Sequence, residues 1–118
     1  MINRIKEILS KDNNILFAYL FGSAITPDFS KYSDIDIAIY FKNYSLDSHL
    51  DIAHKLEKEI KRDIDITVLN KTYNIYLLEE IINKGEVLKD NEKRFDFEIL
   101  KWHEINDFKI SKRLLDAC

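Results

Sequence analysis

Between Asp34 and Phe41 the chain alternates with a period of two: Ile35, Ile37 and Ile39 share one face of an extended strand, and Asp34, Asp36 and Ala38 share the other. The isoleucine face belongs in a hydrophobic core. That places two carboxylates together on the opposite, open face of a sheet, and the rest of the chain has to supply neighbours that tolerate them.

Two further strands are predicted around it. The run Ile15 to Phe21 is continuously apolar and aromatic-rich, as in a central strand covered on both faces, and it stops at Gly22-Ser23. Ile64 to Leu69 is β-branched and alternating, with Asp65 opposite Ile64, Ile66 and Val68. Between the first two strands, Ala24 to Ser33 holds the only proline and predicts a short helical turn followed by a loop.

Helical spacing accounts for most of the remainder. Ile2, Ile5, Ile8 and Leu9 make the first ten residues an amphipathic helix. Ser45 is a good N-cap for a second helix carrying Leu46, Leu50, Ala53, Leu56 and Ile60, with Lys58, Lys61 and Arg62 at its cationic end. A third runs from about Asn74 to Lys84, with Gly85 at the C′ position, and is followed by a short extended piece, Glu86 to Leu88. From Asn91 a helical stripe of Phe95, Ile99, Trp102, Ile105 and Phe108 leads towards Leu114 and Leu115; its aromatic residues are expected in the core, with a partner surface on this C-terminal helix as the alternative. The order α, β, turn, β, α, β, α, α predicts an α/β (α+β) fold, a small mixed β-sheet flanked by helices.

At 118 residues the chain has the common size of one domain, so residues 1–118 are expected to form a single domain with a C-terminal helical segment over about 91–118. The formal net charge of -3 offers no global attraction to nucleic acid, and direct nucleic-acid binding is not expected. Charged residues interrupt every apolar run, so neither a signal peptide nor a membrane span is predicted and the expected compartment is the cytoplasm. Cys118, the single cysteine, excludes an internal disulfide.

Three pieces converge on chemistry. Asp34 and Asp36 share a sheet face, and a neighbouring strand carrying Asp65 on that face would gather three carboxylates. Like charges about 4 Å apart repel by roughly 1 to 4 kcal/mol at effective dielectrics of 80 to 20, which a hard divalent cation relieves. Mg²⁺ takes oxygen ligands from one or two carboxylates plus phosphates and water, so three aspartates could serve two ions. Gly22 lets the backbone approach a phosphate, and the Ser23 and Ala24 amides with the Ser23 hydroxyl can donate to its oxygens. Ten residues separate Ser23 from Asp34, and Ser33 directly precedes the acidic pair. Asp63 is a competing third ligand, on the same face as Asp65 but at the strand entrance, and Asp65 is favoured.

On Gly22-Ser23, Ser33-Asp34-Ile35-Asp36-Ile37-Ala38 and Ile64-Asp65-Ile66 the chain resembles the polymerase-beta-like nucleotidyltransferases. Asp65 to Asn70 and Ile81 to Leu88 further resemble the minimal nucleotidyltransferases, the antitoxin half of the HEPN/MNT toxin–antitoxin pairs. The resemblance implies that Asp34, Asp36 and Asp65 hold magnesium, as two ions, that Gly22, Ser23, Ala24 and Ser33 meet the nucleotide phosphates, and that ATP is the substrate. It implies transfer of AMP to a tyrosine hydroxyl of a partner HEPN ribonuclease toxin, which is thereby neutralised. Many relatives carry arginine after Gly-Ser where this chain has Ala24, so that cationic phosphate contact is either missing here or supplied by Lys31 or another residue.

Two other readings stand beside this one: an antitoxin that acts by binding alone, and nucleotidyl transfer to RNA or a small molecule. The larger transferases that use such acceptors add acceptor-binding domains, which 118 residues do not accommodate, so a protein acceptor is preferred. His49 and His54, five apart, fall on different helix faces and are expected at the surface without a shared metal; His103 receives no role.

Overall fold

The computed structural model describes residues 1–25 and 34–116. Ser33 and Lys31, and the loop expected up to Ser33, lie outside the described residues, as does Cys118. The elements run α1 (Ile2–Ser10), β1 (Ile15–Phe21), a 3₁₀ turn (Gly22–Ile25), β2 (Ile35–Phe41), α2 (Leu46–Ile60), β3 (Ile64–Val68), α3 (Ile75–Lys84), β4 (Glu86–Lys89) and α4 (Glu92–Asp116). No helix of the described residues is long and apolar enough to cross a membrane.

The four strands form one mixed sheet in the order β3-β2-β1-β4. β1 pairs antiparallel with β2 and with β4, whereas β2 and β3 are parallel, joined through α2. A parallel pair needs such a crossover because a tight turn cannot return the chain to the same direction. The short extended piece after Gly85 is thus a genuine edge strand.

Caps fix the helix ends as the side chains dictate. Ser45 Oγ accepts the Ser48 amide at 3.1 Å to open α2, and Asn74 Oδ1 accepts the amides of Tyr76 and Leu77 to open α3. The left-handed residue that closes a helix is Lys61 after α2, at φ 60°. Gly85 follows α3 with extended backbone instead, φ -67° and ψ 147°. Its missing side chain answers to space: a Cβ there would run into the Ile81 carbonyl oxygen.

Apolar side chains bury on both faces of the sheet. Ile5, Ile8 and Leu9 of α1 and Ile52 and Leu56 of α2 pack against Ile35, Ile37, Ile39 and Ile64. On the other face, Leu78 and Ile81 of α3 and Phe97 and Ile105 of α4 pack against Phe17, Tyr19, Phe21, Ala38 and Leu69. The face expected to be open is therefore covered along most of its length. Only its end, where β2 and β3 begin, leaves carboxylates accessible.

α4 also meets the sheet through a different line of residues from the one its aromatic pattern suggests. Phe97 and Ile105 are 8% and 4% exposed, while Phe95, Trp102 and Phe108 are 67%, 55% and 41% exposed. The physical reason is ring packing: Phe97 lies 5.3 Å from Phe17 and 5.6 Å from Tyr40 between ring centroids, and this contact sets the rotation of the helix. The buried Tyr19 hydroxyl donates to Glu98, which Arg94 also holds at 2.9 Å, so polar bonds fix the same rotation. Ile82 and the exposed stripe Phe95, Ile99 and Trp102 then line a shallow apolar groove between α3 and α4.

Candidate active site

β1 ends at Phe21 and passes into Gly22 at φ +74°, a conformation that side-chain-bearing residues rarely adopt. Space demands glycine there too, because a Cβ on residue 22 would collide with the Asp36 carboxylate. The chain then turns through Gly22–Ile25, with Ile25 partly buried against the inner core. The expected turn is present and begins two residues earlier than the polar composition suggested.

Asp36 is the centre of the arrangement. In the sheet it is the partner of Phe21 on one side and of Asp65 on the other. Neighbouring strands lie about 4.8 Å apart, so the two carboxylates rise side by side from one face. Asp36 is half-buried and Asp65 exposed. Burial, then the charges of Asp65, Asp34 and Glu80, push the Asp36 carboxyl above its ordinary value. Asp34, exposed and one residue ahead of β2, is thus near enough to act on Asp36.

This donor set suits a hard cation. The Asp36–Asp65 pair offers only carboxylate oxygens, on adjacent strands, in a register that concentrates negative charge. Among the described residues no group of three or more His, Cys, Asp or Glu side chains is arranged to hold a metal ion, so Asp34, Asp36 and Asp65 do not by themselves form a closed three-carboxylate site. Such a closed site is what Mg²⁺ ordinarily lacks, since it keeps waters and substrate phosphates alongside one or two carboxylates. The residues present fit that pattern.

Glu80 is the acidic neighbour that sequence reasoning missed. It sits on α3, far from the Asp-x-Asp motif in the chain, and no short-range pattern distinguishes it from an ordinary surface glutamate. Asp63, the alternative third ligand, lends its carbonyl oxygen to the Ile35 amide at 3.0 Å, joining the entrances of β2 and β3, and it is not among the charges that raise Asp36. Ser23 and Ala24 lie in the turn beside Asp36's partner strand. His49 Nδ1 lies 3.0 Å from the Tyr44 hydroxyl, His54 is exposed on α2, and His103 packs edge-on against Trp102.

The family model described as "Polymerase beta, Nucleotidyltransferase" matches residues 3–94. The chain belongs to this nucleotidyltransferase family. The matched nucleotidyltransferase region contains Gly22, Ser23, Asp34, Asp36, Asp65 and Glu80, and ends just inside α4.

Solved structures share the fold. A mutant of the toxin–antitoxin MntA–HpeT is similar at TM-score 0.80 and 18% identity, covering 99% of this chain and 96% of that one. A toxin–antitoxin with AMP-PNP is similar at TM-score 0.79 and 20% identity, covering 98% and 95%. A tri-AMPylated Shewanella oneidensis HEPN toxin in complex with MNT antitoxin is similar at TM-score 0.73 and 21% identity, covering 98% and 92%. No curated protein sequence matches the chain.

Proposed function

We propose that this nucleotidyltransferase is a magnesium-dependent protein adenylyltransferase and antitoxin. It moves AMP from ATP to a hydroxyl, that of a tyrosine, on a cognate HEPN-type toxin. The observation that carries the reading is the Asp36–Asp65 pair in register beside Gly22, whose missing side chain leaves room for the Asp36 carboxylate. The similar structures that pair an MNT antitoxin with an AMPylated HEPN toxin, and the one with AMP-PNP, support the choice of partner and nucleotide.

Asp34, Asp36 and Asp65 would hold the magnesium, which when bound neutralises the triphosphate and lowers the pKa of the attacking hydroxyl. The protein's own groups do the rest. The Ser23 and Ala24 amides, in the turn after Gly22, would donate to phosphate oxygens, and Ser33 is assigned to the same phosphates. Asp65, exposed on β3, would take the proton of the incoming hydroxyl. The hydroxyl oxygen bonds to the α-phosphorus, the bond from that phosphorus to the bridging oxygen breaks, and pyrophosphate leaves.

Acceptor recognition falls to the rest of the surface. Phe95, Ile99 and Trp102 present an exposed apolar stripe that a protein partner would cover. Mixing the protein, the toxin and ATP should add an AMP-sized mass to the toxin, and Asp34→Asn should abolish the addition. If neutralisation instead survives both omission of ATP and Asp36→Asn, the protein acts by binding alone; label from the α-phosphate appearing on RNA or a small molecule would redirect the acceptor.

A further inference from the structure

α2 carries its charge unevenly. Asp47 and Asp51 lie in its first half, whereas Lys55, Lys58, Lys61 and Arg62 follow towards and past its end. The two glutamates set among those cations are engaged by other elements: Glu59 accepts from Arg4 of α1 at 2.7 Å, and Glu57 accepts the Ile64 amide at 3.5 Å. Lys55, Lys58 and Lys61 are exposed, and among the described residues none of the three forms an ion pair. Ile52 and Leu56 hold the opposite side of the helix in the inner core, which fixes these lysines towards solvent.

A cation in the last turn answers to the helix dipole, and that accounts for Lys58. Lys55 lies about a turn further back. Lys61 stands after the helix at φ 60°, the left-handed position that glycine fills most easily. With Lys58 before it and Arg62 after it, the dipole does not require a further cation in a strained conformation. Place in the fold supplies a reason. The Asp63 carbonyl, two residues on, accepts the Ile35 amide at 3.0 Å, so the stripe of lysines ends at the entrances of β2 and β3, the end of the sheet that carries Asp34, Asp36 and Asp65.

Resting on the proposed transfer to a protein hydroxyl, we infer that Lys55, Lys58 and Lys61 form an electrostatic docking stripe for an acidic segment of the acceptor protein, steering its hydroxyl towards the carboxylate end of the sheet. Exposed charges of one sign speed encounter with a partner of the other sign and act over about 10 Å at roughly 0.1 M ionic strength. A protein segment suits the stripe better than a nucleic acid does. An RNA strand continuing past Lys61 would bring its phosphates against Asp34, Asp63 and Asp65, all of them exposed.

Transfer kinetics, and calorimetric binding without ATP, are measured with the full chain and the toxin. Lys55→Gln/Lys58→Gln should raise KM for the toxin and weaken its binding about 5-fold at roughly 0.1 M salt, the scale of two exposed ion pairs. The difference should close near roughly 1 M, where charges are screened beyond about 3 Å. Lys61→Gly should stabilise the fold by relieving the left-handed lysine and still weaken toxin binding, which a lysine that only caps the helix would not do. Lys11→Gln/Lys42→Gln removes the same charge from the opposite end of the sheet and should leave both constants at their wild-type values. Toxin affinity unmoved by the α2 substitutions, or moved equally by the control pair, overturns the stripe and leaves the proposed function standing. Binding of single-stranded polyuridylate that the α2 substitutions abolish, with toxin affinity untouched, assigns these lysines to RNA and overturns the acidic partner. Stripe-dependent toxin binding without any AMP transfer removes the transferase reading and keeps the stripe, whereas a wild-type chain that does not bind the toxin overturns both.

Discussion

Asp36 and Asp65 are register partners across the parallel β2–β3 ladder, so the sheet itself holds two carboxylates side by side. Burial and the neighbouring charges make Asp36 harder to ionise in the fold than in the unfolded chain. A carboxyl raised in this way supports the fold fully below its unfolded value of about 3.9, and that support is lost as pH climbs through the raised folded value. Asp36→Asn should therefore stabilise the metal-free protein at pH 7, by an amount on the order of a single cross-strand side-chain pair, ~0.2–1 kcal/mol. At pH 3 the gain should vanish. Denaturant midpoints in EDTA check both, and added Mg²⁺ should reverse the order at pH 7, because only the wild type then gains binding energy.

Gly22 carries two independent demands, a φ of +74° and the space taken by the Asp36 carboxylate. Gly22→Ala should lose about 1–2 kcal/mol from the left-handed backbone alone. The added methyl should also displace Asp36, so nucleotidyl transfer should fall by more than the folded fraction does. Measuring transfer at a temperature where the variant remains folded separates the two effects.

Lys89 at the end of β4 reaches across to α1, donating to the Leu9 carbonyl at 3.1 Å and the Asp12 carbonyl at 2.8 Å. An ammonium satisfying carbonyls at a helix C-terminus joins a hydrogen-bonding role to a dipole role. Lys89→Met keeps the stem and removes both, and should destabilise by ~1.5–3 kcal/mol, the range for hydrogen bonds to charged groups. Transfer by the folded fraction should be unchanged, since α1 lies on the sheet face opposite the carboxylates.

How much the amino-acid order revealed depended on the range of the interaction that decided each feature. Ile35, Ile37 and Ile39 alternate against Asp34 and Asp36, a local pattern, and they settle on the inner core as expected. That Asp65 shares the face of Asp34 and Asp36 was also legible, because a one-residue slip would turn the isoleucines out of the core; the direct pairing of Asp36 with Asp65 was not, because a two-residue slip buries the same faces. Ala38 was misjudged as lying on an open face, since α3 and α4, which cover it, come decades of residues later in the chain. Glu80 was invisible for the same reason: its position beside Asp36 follows from how α3 docks, and its own surroundings spell an unremarkable Glu-Lys helix pair.

Phe95 and Phe97, two positions apart on α4, should separate folding from recognition. Phe97 is 8% exposed and its ring meets those of Phe17 and Tyr40, so Phe97→Ala should destabilise by ~3–5 kcal/mol as a buried aromatic leaves a cavity. Phe95 is 67% exposed, and Phe95→Ala should change stability by no more than ~0.5 kcal/mol. Under the proposed function, Phe95 and Trp102 meet the toxin, because a stripe of apolar side chains left in water on one helix face is the kind of surface that association covers. Phe95→Ala and Trp102→Ala should each weaken binding to the toxin by at least 5-fold, on the order of the ~1 kcal/mol that marks an energetically significant interface residue. Calorimetric titration of toxin into each folded variant measures it; undiminished affinity in both would move the docking surface elsewhere on the molecule.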